Sequence, residues 1–143
     1  MILAPKKYKF AKSFSGKKVS TNKFKNTNPN FSNLCLIAEQ KVYISNFQQN
    51  AIKNHLKRQA KKNFQVFFRL FPKLAITKKP NEVRLGCGKG NVKYWTDIVQ
   101  KDDVILEIRC DRKMKKIANL LDSLKVKIST KTYLFDKHFR WIL

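Results

Sequence analysis

Apolar residues recur along this chain in two rhythms, and each change of rhythm predicts an element. Between Phe31 and Ile44, Leu34, Leu36 and Ala38 are followed by Val42 and Ile44, with a polar break at Gln40-Lys41. That pattern predicts two short strands. At Ser45 the period lengthens. Ser45 with Gln48 three residues on fits a capping box, in which each side chain satisfies the other residue's backbone N–H. Phe47, Ala51, Ile52, Leu56 and Ala60 then follow at helical spacing as a core stripe. Asn63 ends that helix, and Phe64–Leu70 alternates as a strand, with Phe64, Val66, Phe68 and Leu70 on one face and Gln65, Phe67 and Arg69 on the other.

Further along, Val92–Val99 and Val104–Arg109 read as two arms of a hairpin around Lys101-Asp102-Asp103, with Val104, Leu106 and Ile108 facing in. Asp111 can cap a second helix from Arg112 to about Leu124, whose apolar side is Met114, Ile117, Ala118 and Leu121. A last strand, Val126–Tyr133, alternates Val126, Ile128 and Thr130 inward with Lys125, Lys127, Ser129 and Lys131 outward. Strands and two helices in this order predict an α+β fold, an antiparallel or mixed β-sheet with two helices packed on it. The expected organisation is an extended basic arm over 1–30, a globular domain over 31–135 and a tail over 136–143.

Two stretches carry neither rhythm. Residues 1–30 hold eight lysines (Lys6, Lys7, Lys9, Lys12, Lys17, Lys18, Lys23 and Lys25), and no acid precedes Glu39. Tyr8, Phe10, Phe14 and Phe24 are interleaved among them. Lysines neutralise phosphates with release of counterions and aromatic rings stack on bases, so this segment reads as an arm that orders on nucleic acid. The second stretch, 72–92, is a basic, proline-interrupted loop that ends in Arg84-Leu85-Gly86-Cys87-Gly88-Lys89-Gly90-Asn91. Three glycines in five residues permit positive φ angles and let a bulky partner approach the main chain.

Charge sharpens this picture. Thirty-two Lys and Arg against 9 Asp and Glu give a net +23 over 143 residues. Self-repulsion of that size calls for a polyanionic partner. Yet 43% of residues are hydrophobic, including 11 Phe, which is enough for a core and unlike a disordered chain. On the first helix Lys53, Lys57 and Lys61 repeat every four residues beside Arg58. Like charges at that spacing cost about 0.2–0.5 kcal/mol per pair, a cost that an opposing row of phosphates reverses.

Enzymatic chemistry finds little support. A Walker loop needs G-x-x-x-x-G-K followed by Ser or Thr, whereas Gly88-Lys89 is followed by Gly90. A dinucleotide fingerprint places its third glycine one residue later, opening a helix. His55 lies within a helix, His138 lies in the tail, and no nucleophile, base and acid converge. Cys35, Cys87 and Cys110 form no C-x-x-C pair, so neither a metal nor a disulfide framework is expected. No apolar run approaches the roughly 20 residues of a membrane span, and no cofactor or small-molecule substrate is expected. A nucleoid-type DNA-binding protein and a small P-loop-like enzyme are the other classes weighed against RNA binding.

Collinear motifs then resemble the bacterial-type large-subunit ribosomal protein L-sixteen family over nearly the whole length. They are Leu3-x-Pro5-Lys6-x-x-Lys9-Phe10-x-Lys12 with Gly16-Lys17; Lys57-Arg58-Gln59 leading to Phe68-Arg69-x-Phe71-Pro72; Thr77-x-Lys79-Pro80; and Arg84-x-Gly86-x-Gly88-Lys89-Gly90-Asn91 with Tyr94-Trp95. Departures are Leu85 for a usual Met, Cys87 for a common basic residue, Phe67 near a usual Trp and Lys93 for a frequent acid. The resemblance implies a non-enzymatic domain embedded in large-subunit rRNA beside neighbouring ribosomal proteins. Its loop (Lys78, Lys79, Arg84, Gly86, Gly88, Lys89, Gly90 and Asn91) would face the peptidyl-transferase region and, transiently, the aminoacyl-site tRNA. The expected rRNA contacts are Lys6, Lys7, Lys9, Lys12, Lys17 and Lys18 on the arm, Lys53, Lys57, Arg58 and Lys61 on the helix, and Lys127 and Lys131 near the end. The first residues align at the family's own start without an import extension. With heavy use of Lys, Asn, Ile and Phe, this suggests a protein encoded in an organelle and working in the mitochondrial matrix, with plastid or bacterial cytoplasm as alternatives.

Overall fold

The computed structural model describes residues 4–10, 12–14, 29–60, 64–84, 86, 88–110 and 114–136. Along them run β1 (Leu34–Ala38), β2 (Val42–Ser45), α1 (Asn46–Ala60), β3 (Phe64–Phe68), β4 (Leu74–Lys78), β5 (Asn91–Val99), β6 (Val104–Cys110), α2 (Met114–Lys125) and β7 (Thr132–Asp136). The class is α+β as expected. The described strands, however, form two antiparallel sheets, ordered β3-β6-β1-β7 and β2-β5-β4.

β1 is buried at every position because it lies between β6 and β7 and is covered on both faces. One face carries the main core, in which Leu34, Leu36, Leu106, Ile108 and Leu134 meet Ile52 and Leu56 of α1 and Leu121 and Leu124 of α2. Burying each such side chain contributes about 1.5–3 kcal/mol, so this cluster dominates the fold. Phe64, Val66, Phe68 and Leu70 pack on its edge, on the single face that their alternation predicts. Cys35 and Ile37 fill the opposite face with Tyr133 and Phe135.

Val104 joins that second cluster, not the face of Leu106 and Ile108 on which its alternation placed it. The register explains this. Leu36 pairs with Leu106 but Ile37 pairs with Val104, leaving Ile105 as the extra residue of a β-bulge. A bulge inverts the facing of everything beyond it. Ile105 is thereby added to the main core.

Three further expectations are corrected. The segments Val92–Val99 and Val104–Arg109 are not a hairpin. Ala38 donates its N–H to the Asp103 carbonyl (3.0 Å) and Asp102 donates to the Ala38 carbonyl (2.8 Å), so β1 captures the chain at the turn and draws β6 into the other sheet. The last strand begins at Thr132, not Val126. Val126 is 89% exposed, and Lys127 and Ile128 donate to the Leu124 and Lys125 carbonyls in a turn that closes α2. In α1, Phe47 is 62% exposed and Ala51 is exposed, whereas Asn46, Gln49, Ile52 and Leu56 are buried. At about 100° per residue, Phe47 and Ala51 lie on nearly the opposite side of the helix from that buried line. The capping box itself is present: Ser45 N–H donates to Gln48 Oε1 (2.9 Å) and Gln48 N–H to Ser45 Oγ (3.2 Å). Asp111 and the side chains of Ala60, Met114, Ile117 and Ala118 lie outside the described residues.

Candidate nucleic-acid interface

β4 and β5 pair along Leu74–Lys78 and Asn91–Thr96, and the glycine loop joins their ends. β4 occupies residues that the sequence pattern assigns to that loop. A turn begins the loop, with Val83 N–H donating to the Pro80 carbonyl (3.4 Å). Gly86 and Gly88 have φ of 106° and 76°, a region that L side chains resist, although open space surrounds both. Conformation, not crowding, requires glycine there. Gly90 is the reverse case. A Cβ on it would stand 2.6 Å from the carbonyl carbon and oxygen of Lys78, so glycine is needed for the strand ends to approach. Lys79 Nζ donates across the loop to the Gly86 carbonyl.

The arm returns to this loop. Tyr8 packs on Trp95 with ring centroids 5.0 Å apart, and Ser13 Oγ donates to the Ala75 carbonyl at 3.1 Å. Lys12 Nζ donates to the Lys89 carbonyl at 2.7 Å. In exchange Lys89 Nζ donates to the Ser13 carbonyl and stands 4.4 Å over the Phe14 ring. Two segments that sequence treated separately therefore form one surface. Lys6, Lys7, Lys9, Lys12, Lys78, Arg84 and Lys89 are exposed on them, together with one exposed acid, Glu82.

The remaining candidates are dispersed. Lys53, Lys57 and Arg58 are exposed on α1, and Lys127 and Lys131 are exposed between α2 and β7. Gly86 and Gly88 face solvent and Asn91 opens β5, exposed. Lys17, Lys18 and Lys61 lie outside the described residues, as do Leu85 and Cys87. His55 is half-buried, its Nε2 3.1 Å from Ser123 Oγ. Ser123 gives its single proton to the Leu120 carbonyl (2.7 Å), so His55 is the donor and links the two helices.

Where the arm meets the body, sequence reasoning missed a buried anchor. Glu107 is fully buried, and its Oε2 accepts the N–H groups of Asn30 (3.1 Å), Phe31 (2.7 Å) and Ser32 (3.1 Å). Arg69 Nη1 pairs with Oε1 at 3.2 Å and stands over the Phe31 ring, which stacks on Phe67. A lone acid between Leu106 and Ile108 in an apolar strand was the available signal. On the same sheet face, burial and the charges of Glu107 and Asp136 push the Cys35 thiol up to about 12, which keeps it neutral. Burial and Asp102, which accepts the Tyr133 hydroxyl proton at 3.2 Å, likewise push Tyr133 up to about 12.

Among the described residues no group of three or more His, Cys, Asp or Glu could hold a metal ion, and no helix is long and apolar enough to cross a membrane. The surface can present ammonium and guanidinium groups, aromatic edges and a close-approach backbone to a polyanion.

Comparison with known proteins agrees. The family model described as Ribosomal protein L16p/L10e matches residues 5–135. The chain is 37% identical over 108 residues to the large ribosomal subunit protein uL16 of Blochmanniella pennsylvanica, covering 76% of this chain and 79% of that one. It is 34% identical to the uL16 of Phytoplasma australiense, covering 91% and 94%, and 33% identical to that of Wigglesworthia glossinidia brevipalpis, covering 90% and 94%. With nearly all of the arm and of both sheets, and the whole glycine loop, inside the matched span, this chain belongs to the ribosomal protein L16p/L10e family.

Proposed function

We propose that the chain is a structural, non-enzymatic constituent of the large ribosomal subunit that binds its rRNA. Residues 1–30 serve as the arm and 31–135 as the body, and the loop over 72–92 lies toward the aminoacyl-site tRNA near the peptidyl-transferase region. The observation that carries this reading is the joining of arm and glycine loop through Lys12, Ser13, Phe14 and Lys89 into one cationic surface on a chain of this family. Backbone contacts of that kind supply affinity, and folded RNA shape supplies specificity. The relatives named above are bacterial. The Lys-, Asn-, Ile- and Phe-rich composition favours an organelle-encoded protein of the mitochondrial ribosome. Native lysate, fractionated by compartment and sedimented on a sucrose gradient, tests both points. The chain should travel in the large-subunit peak of the mitochondrial fraction. A position at the top of the gradient, or with chromosomal DNA, would refute the ribosomal assignment.

A further inference from the structure

The end of β4 and the start of β5 enclose an open hollow of about 460 Å³, lined by residues 78–81 and 91–93. Two backbone features build it. Consecutive strand residues normally point to opposite faces, yet Val92 and Lys93 both line this hollow. Thr77 pairs with Val92 while Ile76 pairs with Tyr94, so Lys93 is the extra residue of a bulge. Bulges re-aim side chains in this way and are frequent beside binding sites. The second feature is Gly90, whose missing side chain lets the strand ends close until Lys78 lies opposite Asn91.

The lining is chemically sorted. Lys78 and Lys93 are exposed, and their ammonium groups engage no described residue, whereas Lys79 is already committed to the Gly86 carbonyl. Pro80 and the half-buried Val92 supply apolar surface. Asn81 and Asn91 carry amides, each able to donate and accept. Glu82 lies just outside the lining.

We infer that this hollow seats one unpaired nucleotide of RNA. Its base lies against Pro80 and Val92, its edge is met by the Asn81 and Asn91 amides, and its flanking phosphates lie between Lys78 and Lys93. The volume falls within the roughly 300–1,000 Å³ of small-ligand sites, which suits one nucleotide and not a helix. Unstacked bases are also what proteins read by their edges in RNA. The inference rests on the rRNA-binding reading.

The test is 2′-hydroxyl acylation along a large-subunit rRNA transcript, free and bound to the intact chain, and then bound to the double variant Lys78→Ala/Lys93→Ala. Both lysines are exposed and pair with no described residue, so the fold should persist; Val92→Asp provides a second probe, aimed at the base face. One unpaired nucleotide should lose reactivity several-fold on binding the intact chain and regain it with either variant, while protections elsewhere remain. The logarithmic salt dependence of binding should fall by about two units in the double variant, one per phosphate contact. Protection confined to paired segments, or protection that survives both variants, would overturn the nucleotide seat and leave rRNA binding standing. Absence of salt-dependent binding by the intact chain would overturn both.

Discussion

At the scale of single residues, Glu107 shows how a protein this basic places one of its few acids. Three consecutive N–H groups and a guanidinium converge on a carboxylate that water does not reach. Removing the acid from such a buried cluster takes the acceptor away from every donor aimed at it. Glu107→Ala should therefore lower unfolding free energy by about 3–5 kcal/mol in a urea titration. An effect within the range of an ordinary surface substitution would contradict the anchoring role. The residue was only half legible in the sequence. Its isolation between Leu106 and Ile108 is visible, but its partners lie 38 positions away at Arg69 and about 75 at Ser32, and no local rule joins them.

At the scale of elements, legibility follows how local the determining chemistry is. The cap of α1 is set by residues three apart, and Ser45 and Gln48 form it as read. β4 escaped notice because its five residues follow closely on Pro72 and run into the Lys78-Lys79 pair, so that proline and charge hid the strand pattern. The lysine alternation over Lys125–Lys131 imitated a strand where the backbone makes a turn. The bulges in β5 and β6 depend on cross-strand register, which a single strand does not encode. The glycines of the loop make a testable distinction at this scale. Gly88→Ala introduces only left-handed strain, about 1–2 kcal/mol. Gly90→Ala meets main-chain atoms of Lys78 at 2.6 Å, so the β4–β5 pair must part. Thermal melts should therefore rank Gly90→Ala well below Gly88→Ala. Equal melting temperatures would show that the close approach does not matter.

At the scale of the whole molecule, a net charge of +23 sits on a core whose central strand is apolar and buried at every position. Besides Lys127 and Lys131, the described cationic candidates form a cluster that joins arm to loop and a row on α1. If both touch phosphate, each contributes to counterion release independently of the other. Lys12→Ala and Lys57→Ala should each reduce the salt dependence of rRNA binding by about one unit, and the two reductions should add. A filter-binding titration that found only one of them effective would confine the RNA to one side of the domain.

The pairing of β7 with β1 has a mechanical consequence. Because Leu34 lies opposite Asp136 in an antiparallel ladder, the start of β1 and the end of β7 meet at one corner of the sheet. Tension applied at those two residues would load the rungs one at a time and peel β7 away like a zipper, whereas tension applied through the arm is borne first by the contacts of Asn30, Phe31 and Ser32 with Glu107.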